Sequence, residues 1–279
     1  MIIYLILALV LGLVTGSFLN VVIYRLPIMM ERSWQKEARQ LLGQPIEETA
    51  PFNLCLPRSA CPHCHTSIKP WQNIPLISYI CLRGRCAGCH TAISLRYPLV
   101  ELLTGLMFVA IVWQTGLTPL TIGGLILTTA LITLTFIDAD TQLLPDQITL
   151  PLLWCGLIFN WYSDFVPLPM ALWGAILGYM SLWTLFWLFK LLTGKDGMGY
   201  GDFKLLAALG AWLGANTLPV IILVAALVGI MASIMLKVAR GQTMAFGPAL
   251  AIAGWLVWIA NDQIMQLIHW WLRLSGFHA

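Results

Sequence analysis

The stretch PLTIGGLILTTALITLTFIDAD, residues 119–140, decides how this chain folds. From Pro119 to Ile137 it carries no charged side chain, and Asp138 then ends the run. About 20 such residues in a helix cross the hydrocarbon of a bilayer. An acid at the mouth of that run is expensive: at a helix centre it costs about 2.5–3.5 kcal/mol on insertion scales, so it calls for a functional reading. A second acid in a similar place, Asp202, follows Gly199-Tyr200-Gly201. Two such carboxyls that face one another can share a proton and activate water.

The rest of the chain has the same character. Of 279 residues, 59% are hydrophobic and 10% charged, with 13 Trp, and the mean hydropathy is +0.83. Soluble helices show a polar stripe, whereas most of these runs are apolar all round. The pattern predicts helices over 2–24, 98–114, 119–137, 148–163, 169–192, 203–216, 218–236 and 248–271. The fold class is therefore an all-α polytopic membrane protein of about eight transmembrane helices. Its expected divisions are a first helix at 1–24, a cytoplasmic loop domain at 25–97, and a membrane core at 98–279. The N-terminal run has no basic residue ahead of it and no small-x-small site before Arg25, so it reads as an uncleaved span.

Basic residues set the orientation. Segment 25–97 holds Arg25, Arg32, Lys36, Arg39, Arg58, Lys69, Arg83, Arg85 and Arg96 against Glu31, Glu37, Glu47 and Glu48. With that segment in the cytoplasm, alternating spans put Lys190, Lys195, Lys204, Lys237 and Arg240 on the same side, and only Arg273 outside. Both acid-bearing turns then open to the cytoplasm. The net charge of +3 follows from this topology, and no nucleic-acid-reading motif is present.

Within the polar segment stand Cys61-Pro62-His63-Cys64 and Cys86-Ala87-Gly88-Cys89. Paired Cys-x-x-Cys knuckles read as a zinc site, and four thiolates complete a closed tetrahedral shell with no open position for catalysis. The metal ligands are thus Cys61, Cys64, Cys86 and Cys89, and the zinc is structural. His63, His65 and His90 flank them as alternative ligands that a full shell does not need. Cys55 and Cys81 read as bystanders, and Cys155 as plain helix packing.

Of the first acids, Asp138 sits deepest, Asp140 is left to the loop, and Asp146 after Pro145 reads as an N-cap. In Gly197-Met198-Gly199-Tyr200-Gly201-Asp202-Phe203-Lys204, alternating glycines allow positive φ and close approach of another backbone. Gly199 and Gly201 would leave amides beside Asp202 for an extended peptide, and Asp202 doubles as a possible N-cap. No strand–turn–helix unit surrounds these glycines, which excludes a phosphate loop. Lys204 is either an interface anchor or a charge near the acids. Gly16-Ser17 suits close helix packing, while Asn20 either joins that packing or bonds an active-site group. Glu101 either orients a substrate amine or snorkels to the interface, and Gly84 makes a turn or admits a ligand. Trp154, Trp161, Trp173, Trp183 and Trp187 read as interface and packing residues.

These motifs, together with Gly16-Ser17-Phe18-Leu19-Asn20 through Pro27, resemble type IV prepilin peptidase, in the same order over nearly the whole chain. Members are intramembrane aspartyl proteases of the glycine-x-glycine-aspartate type. The resemblance implies Asp138 and Asp202 as the catalytic pair, with Gly199, Gly201 and Lys204 in support. It implies a bacterial inner-membrane enzyme that cuts the basic leader from prepilins and pseudopilins of pilus and type II secretion systems. It also implies N-methylation of the new terminus from S-adenosylmethionine, whose binding residues the sequence does not reveal. The partners are then those substrates and membrane lipid, with no nucleic acid. A proton-coupled transporter is the rival class, since buried acids also serve there, although no internal repeat of the transporter kind is visible. A zinc scaffold without chemistry would leave both acids unexplained.

Overall fold

Apolar runs become helices in the order the sequence predicts. A computed structural model describes residues 1–45, 50–236 and 245–274; Glu47, Glu48, Lys237 and Arg240 lie outside the described residues. Among the described residues there is no strand, only two isolated bridges. Among the described residues five segments are long and apolar enough to cross a membrane: Ile2–Leu41, Arg96–Thr115, Pro119–Thr141, Leu168–Thr193 and Ala215–Met235. Large apolar side chains along them, such as Phe18, Ile122, Leu185, Leu223 and Ile230, point outward. Lipid is the medium that accepts such a surface. The chain is a multi-pass membrane protein.

The chain divides into two compact units, Met1–Trp113 and Gln114–Ala279. In the first, helix α1 runs Ile2–Leu41, well past the end expected at residue 24. Its 40 residues make a rod of about 60 Å. Pro27 does not stop it, and the following turns are rich in good helix formers. They also carry i,i+4 bonds from Ser33 to Glu37 and from Gln35 to Glu31.

Farther along lie a short helix α2 (Ile77–Cys81) and helix α3 (Arg96–Thr115). Gly12 and Gly16 let α1 meet α3 backbone to backbone. A Cβ at either would come within 2.7 Å of the Cα of Gly105 or Glu101. Asn20 Nδ2 donates to Tyr97 O at 3.1 Å, so it joins this packing and not an active-site group.

The second unit holds α4 (Pro119–Thr141), α5 (Asp146–Ser163), α6 (Leu168–Thr193), α7 (Tyr200–Leu213), α8 (Leu218–Met235), α9 (Gly247–Ile259) and α10 (Asn261–Leu274). The helix expected over 248–271 is broken at Ala260, because the polar Asn261-Asp262 pair opens a separate, far less apolar helix. At the centre lies α7, packed by α5, α6 and α9 and buried without interruption from Leu205 to Leu213.

Its 14 residues span only about 21 Å, and protein encloses them. Gly174 and Gly178 on α6 and Gly210 on α7 bring these two helices into backbone contact. A Cβ on Gly174 would strike Gly210 O, and one on Gly178 would lie 2.7 Å from Leu206 O. Asn160 of α5 fixes the far end of α7. Its Nδ2 donates to Ala211 O (2.8 Å) and Trp212 O (3.1 Å), and its Oδ1 accepts from Val166 N–H. Trp212 Nε1 donates to Leu152 O at 2.8 Å beside Gly156.

Trp154, Trp161, Trp173 and Trp187 are exposed and Trp183 is partly so, while Trp212 and Trp258 are buried in the core. Cys155, expected to pack inward, faces outward. A thiol is a small hydrophobe and fits a lipid-facing side as well as a core.

Candidate active site and metal site

Asp138 lies in the last turn of α4, buried, while Asp140 is exposed. The helix ends because Gln142 takes a left-handed conformation (φ 54°) and bonds its N–H to Asp138 O at 2.8 Å. Asp202 lies in the first turn of α7, also buried. Its Oδ1 has no hydrogen-bond partner among the described residues. Asp138 and Asp202 are close enough for their charges to interact, although 64 positions separate them in sequence. From a third helix, Gly247 N–H donates to Asp138 Oδ2 at 2.9 Å.

Local details differ from the sequence expectations in three places. Asp146 is not an N-cap: Pro145 holds that position, and Asp146 is the first residue of α5 with no capping bond. Its carboxylate instead accepts Lys204 Nζ at 2.7 and 2.8 Å. Lys204 thus pairs with Asp146 at a partly exposed position. Nor is Asp202 an N-cap, since Gly199 takes that place and Asp202 follows three residues later. An acid in the first turn still suits the positive end of the helix.

Finally, the glycines around Asp202 do not use positive φ. Gly199 is extended (φ −84°), and the left-handed turn falls at Gly194 (φ 69°). Gly201 is needed for close approach, since a Cβ there would lie 2.7 Å from Leu144 Cβ. A Cβ on Gly199 would meet only Asp202 Oδ2 and Gly201 N, at 3.9 and 4.0 Å, so close approach does not demand glycine there.

In the first unit the four cysteines come together. Cys61, Cys64, Cys86 and Cys89 place their sulfurs within 4.8 Å of one another, and no histidine is in the group. The Cys61–Cys89 and Cys64–Cys86 sulfurs are 3.7 and 3.9 Å apart. Tetrahedral ligation at the zinc–sulfur length of about 2.3 Å sets sulfurs about 3.8 Å apart, so the donor set fits.

Each knuckle folds the same way. Cys61 N–H bonds Thr66 O and His65 N–H bonds Cys61 O; Cys86 N–H bonds Thr91 O and His90 N–H bonds Cys86 O. His65 (φ 55°) and His90 (φ 58°) make the left-handed turns, and neither belongs to the four-sulfur group. The signal was available as a repeat: Cys-x-x-Cys-His-Thr occurs at 61–66 and at 86–91. Bonds from the Thr66 side chain and then its backbone hold the Cys64 thiol down at about 6. Amides of Cys89 and Gly88 lower Cys86 as well. Easily formed thiolates at these two positions suit a metal. At Cys61 the amides of Cys64 and His63 pull downward, but burial and the neighbouring Cys86 and Cys64 thiols leave the group above its ordinary value.

Beside the cluster is a cavity of about 660 Å³ lined by Cys81, Leu82, Arg83, Arg85, Cys86, Ala87 and His90. Gly84 makes a left-handed turn (φ 66°), and a Cβ there would lie 2.8 Å from the Tyr79 hydroxyl, so the turn explains it. Glu101 neither snorkels nor projects into open space. It is buried, accepts Leu76 N–H at 2.9 Å and is reached by Ser17. Leu76 has φ 57°, which turns its N–H toward the carboxylate.

Arg25 was read only as a topology marker. It is buried too, and donates to Asn53 O (2.8 Å) and Pro57 O (2.7 Å). Nothing in its local sequence announces those long-range carbonyls.

Comparisons with known proteins agree with this layout. A Bacterial Peptidase A24 N-terminal domain matches residues 10–115, and the Type IV leader peptidase family matches residues 125–234. A prepilin leader peptidase/N-methyltransferase of Neisseria gonorrhoeae is 58% identical over 268 residues, 95% of this chain and 94% of that protein. Proteins of the same name from Stutzerimonas stutzeri and Pseudomonas putida are 54% and 52% identical. The first alignment covers 92% of this chain and 91% of the relative, the second 94% of each. No solved structure matches the chain. With both family regions present in order and half or more of the residues shared along almost the full length, this chain belongs to the type IV leader peptidase family of prepilin leader peptidase/N-methyltransferases.

Proposed function

We propose that this protein cleaves the basic leader from prepilins and pseudopilins and N-methylates the new terminus, with Asp138 and Asp202 as the catalytic pair. What carries the reading is the proximity of two buried acids from different helices, one with an oxygen that has no partner among the described residues, in a chain of this family. Peptide hydrolysis then needs one ionised and one protonated carboxyl. The ionised acid takes a proton from water, the protonated one hydrogen-bonds the scissile carbonyl, and the pair titrates as a unit. The relatives give the transporter reading no support.

Several further assignments belong to this proposal. The chain works as 1–24, 25–97 and 98–279, in the bacterial inner membrane, with the catalytic acids toward the cytoplasm, where the leader lies. Zinc on Cys61, Cys64, Cys86 and Cys89 shapes the loop. S-adenosylmethionine is the methyl donor, and no residue is assigned to it. Gly199, Gly201 and Lys204 support the site, Lys204 through its pair with Asp146.

The function is tested by incubating purified protein with a synthetic prepilin and labelled methyl donor. Leader loss and methyl gain are both expected, and intact prepilin would refute the reading. For the metal, Cys86→Ser should release zinc, because a structural site contributes about 10–16 kcal/mol of apparent binding energy that a broken shell cannot hold. Elemental analysis should show zinc loss, and mass spectrometry of the product should show cleaved but unmethylated pilin. Full methylation by a zinc-free variant would sink the structural role.

A further inference from the structure

Helix α9 begins at Phe246-Gly247-Pro248, and its first turn raises an accounting question. The first N–H groups of a helix have no partner inside it. Pro248 has no N–H at all. The amides of Ala249 and Leu250 turn back to Phe246 O at 3.0 and 3.1 Å. Gly247 N–H, which has no acceptor inside the helix, goes across to Asp138 Oδ2 at 2.9 Å. Gly247 and Asp138 are both buried. A buried amide that lost this acceptor would stay unsatisfied, so the bond is held by more than its own strength.

The residue type adds a second, independent observation. Gly247 does not adopt positive φ, so its backbone conformation does not demand glycine. The demand comes from room. A Cβ at this position would lie 2.5 Å from Asp138 Oδ2, 3.1 Å from Asp138 Cγ and 3.1 Å from Leu144 Cδ2. The Asp138 carboxyl occupies the space that any side chain at 247 would fill. Leu144 also abuts Gly201, the residue immediately before Asp202. Glycines on α7 and α9 therefore make way for one leucine between the helices that carry or hold the two acids.

We propose that Gly247 is a positioning residue for peptide cleavage: its amide fixes the Asp138 carboxyl, and its missing side chain leaves the space that carboxyl needs. This rests on the reading of Asp138 as one of the catalytic pair. Gly247 touches no substrate. It acts by confining a carboxyl whose χ1 would otherwise choose among staggered wells and whose χ2 turns broadly.

The test is Gly247→Ala in the full-length purified protein. The atoms in the way of the new methyl are side-chain ends, so the carboxyl moves while the helices stay. A misplacement of about 1 Å in a catalytic group costs about 10²-fold in rate. The expected result is a kcat for leader cleavage lower by about 10²-fold with KM within about twofold, since ground-state binding is untouched. The thermal midpoint and methyl transfer to a pre-cleaved peptide should be unchanged. Cleavage at the parental rate overturns the proposal. So does a parallel loss of midpoint and of both activities, which marks a structural role alone.

If the single variant does not accumulate, Leu144→Ala/Gly247→Ala removes the crowding at Leu144 and leaves Asp138 as the conflict. Impaired cleavage in that pair supports the proposal, and restored cleavage overturns it. Failure of the underlying reading looks different, because Asp138→Asn would then cleave normally.

Discussion

Asp138→Asn and Asp202→Asn are each expected to abolish leader cleavage while leaving methyl transfer to a pre-cleaved peptide in place. Either substitution keeps the size of the side chain but removes a group that gives or takes a proton, a contribution of about 10²–10⁴-fold in rate. The two losses should not add, because the acids act as one unit. Stability should change little: at 202 the amide is neutral where a buried carboxyl oxygen has no partner among the described residues, and at 138 the amide oxygen can still accept the Gly247 N–H. Initial rates on a synthetic prepilin, with thermal midpoints taken alongside, check this. Normal cleavage by either variant at normal protein levels would end the account of the pair.

Gly210→Ala should be the most damaging conservative change outside the acids. Its methyl group would meet Gly174 O and the Gly174 backbone, which cannot rotate aside as a side chain can. Overpacking a tight contact costs about 1–3 kcal/mol and more where nothing yields. The α6–α7 seam must open, and Asp202 at the start of α7 moves with it. We expect a clear drop in thermal midpoint and a loss of cleavage, with zinc content unaffected because the cysteines belong to the other compact unit. Gly174→Ala should behave alike, and a variant with parental midpoint would show that the seam can relax.

The membrane class and the helix order were legible because nearly every apolar run exceeds what a soluble helix tolerates. Asp138 and Asp202 stood out for the same reason, as acids against an apolar background. The four cysteines were legible from spacing alone. What escaped was set by contacts between distant segments. The fate of Lys204 depended on Asp146, fifty-eight positions away, and that of Glu101 on Leu76. Gly247 drew no attention because a main-chain amide leaves no trace in side-chain chemistry. The extension of α1 to Leu41 was missed because Pro27 and the charged residues after it looked like the start of a loop. Helix propensity and i,i+4 bonds outweighed the one lost backbone bond.

The shortness of α7 has a consequence for how the enzyme lives in its bilayer. Membranes that thicken or thin act on the helices at the perimeter, which tilt or shift to match. Asp202 rides on a segment wrapped by α5, α6 and α9, sheltered from that adjustment. The acid is thereby insulated from changes in acyl-chain length that its lipid-facing neighbours must absorb.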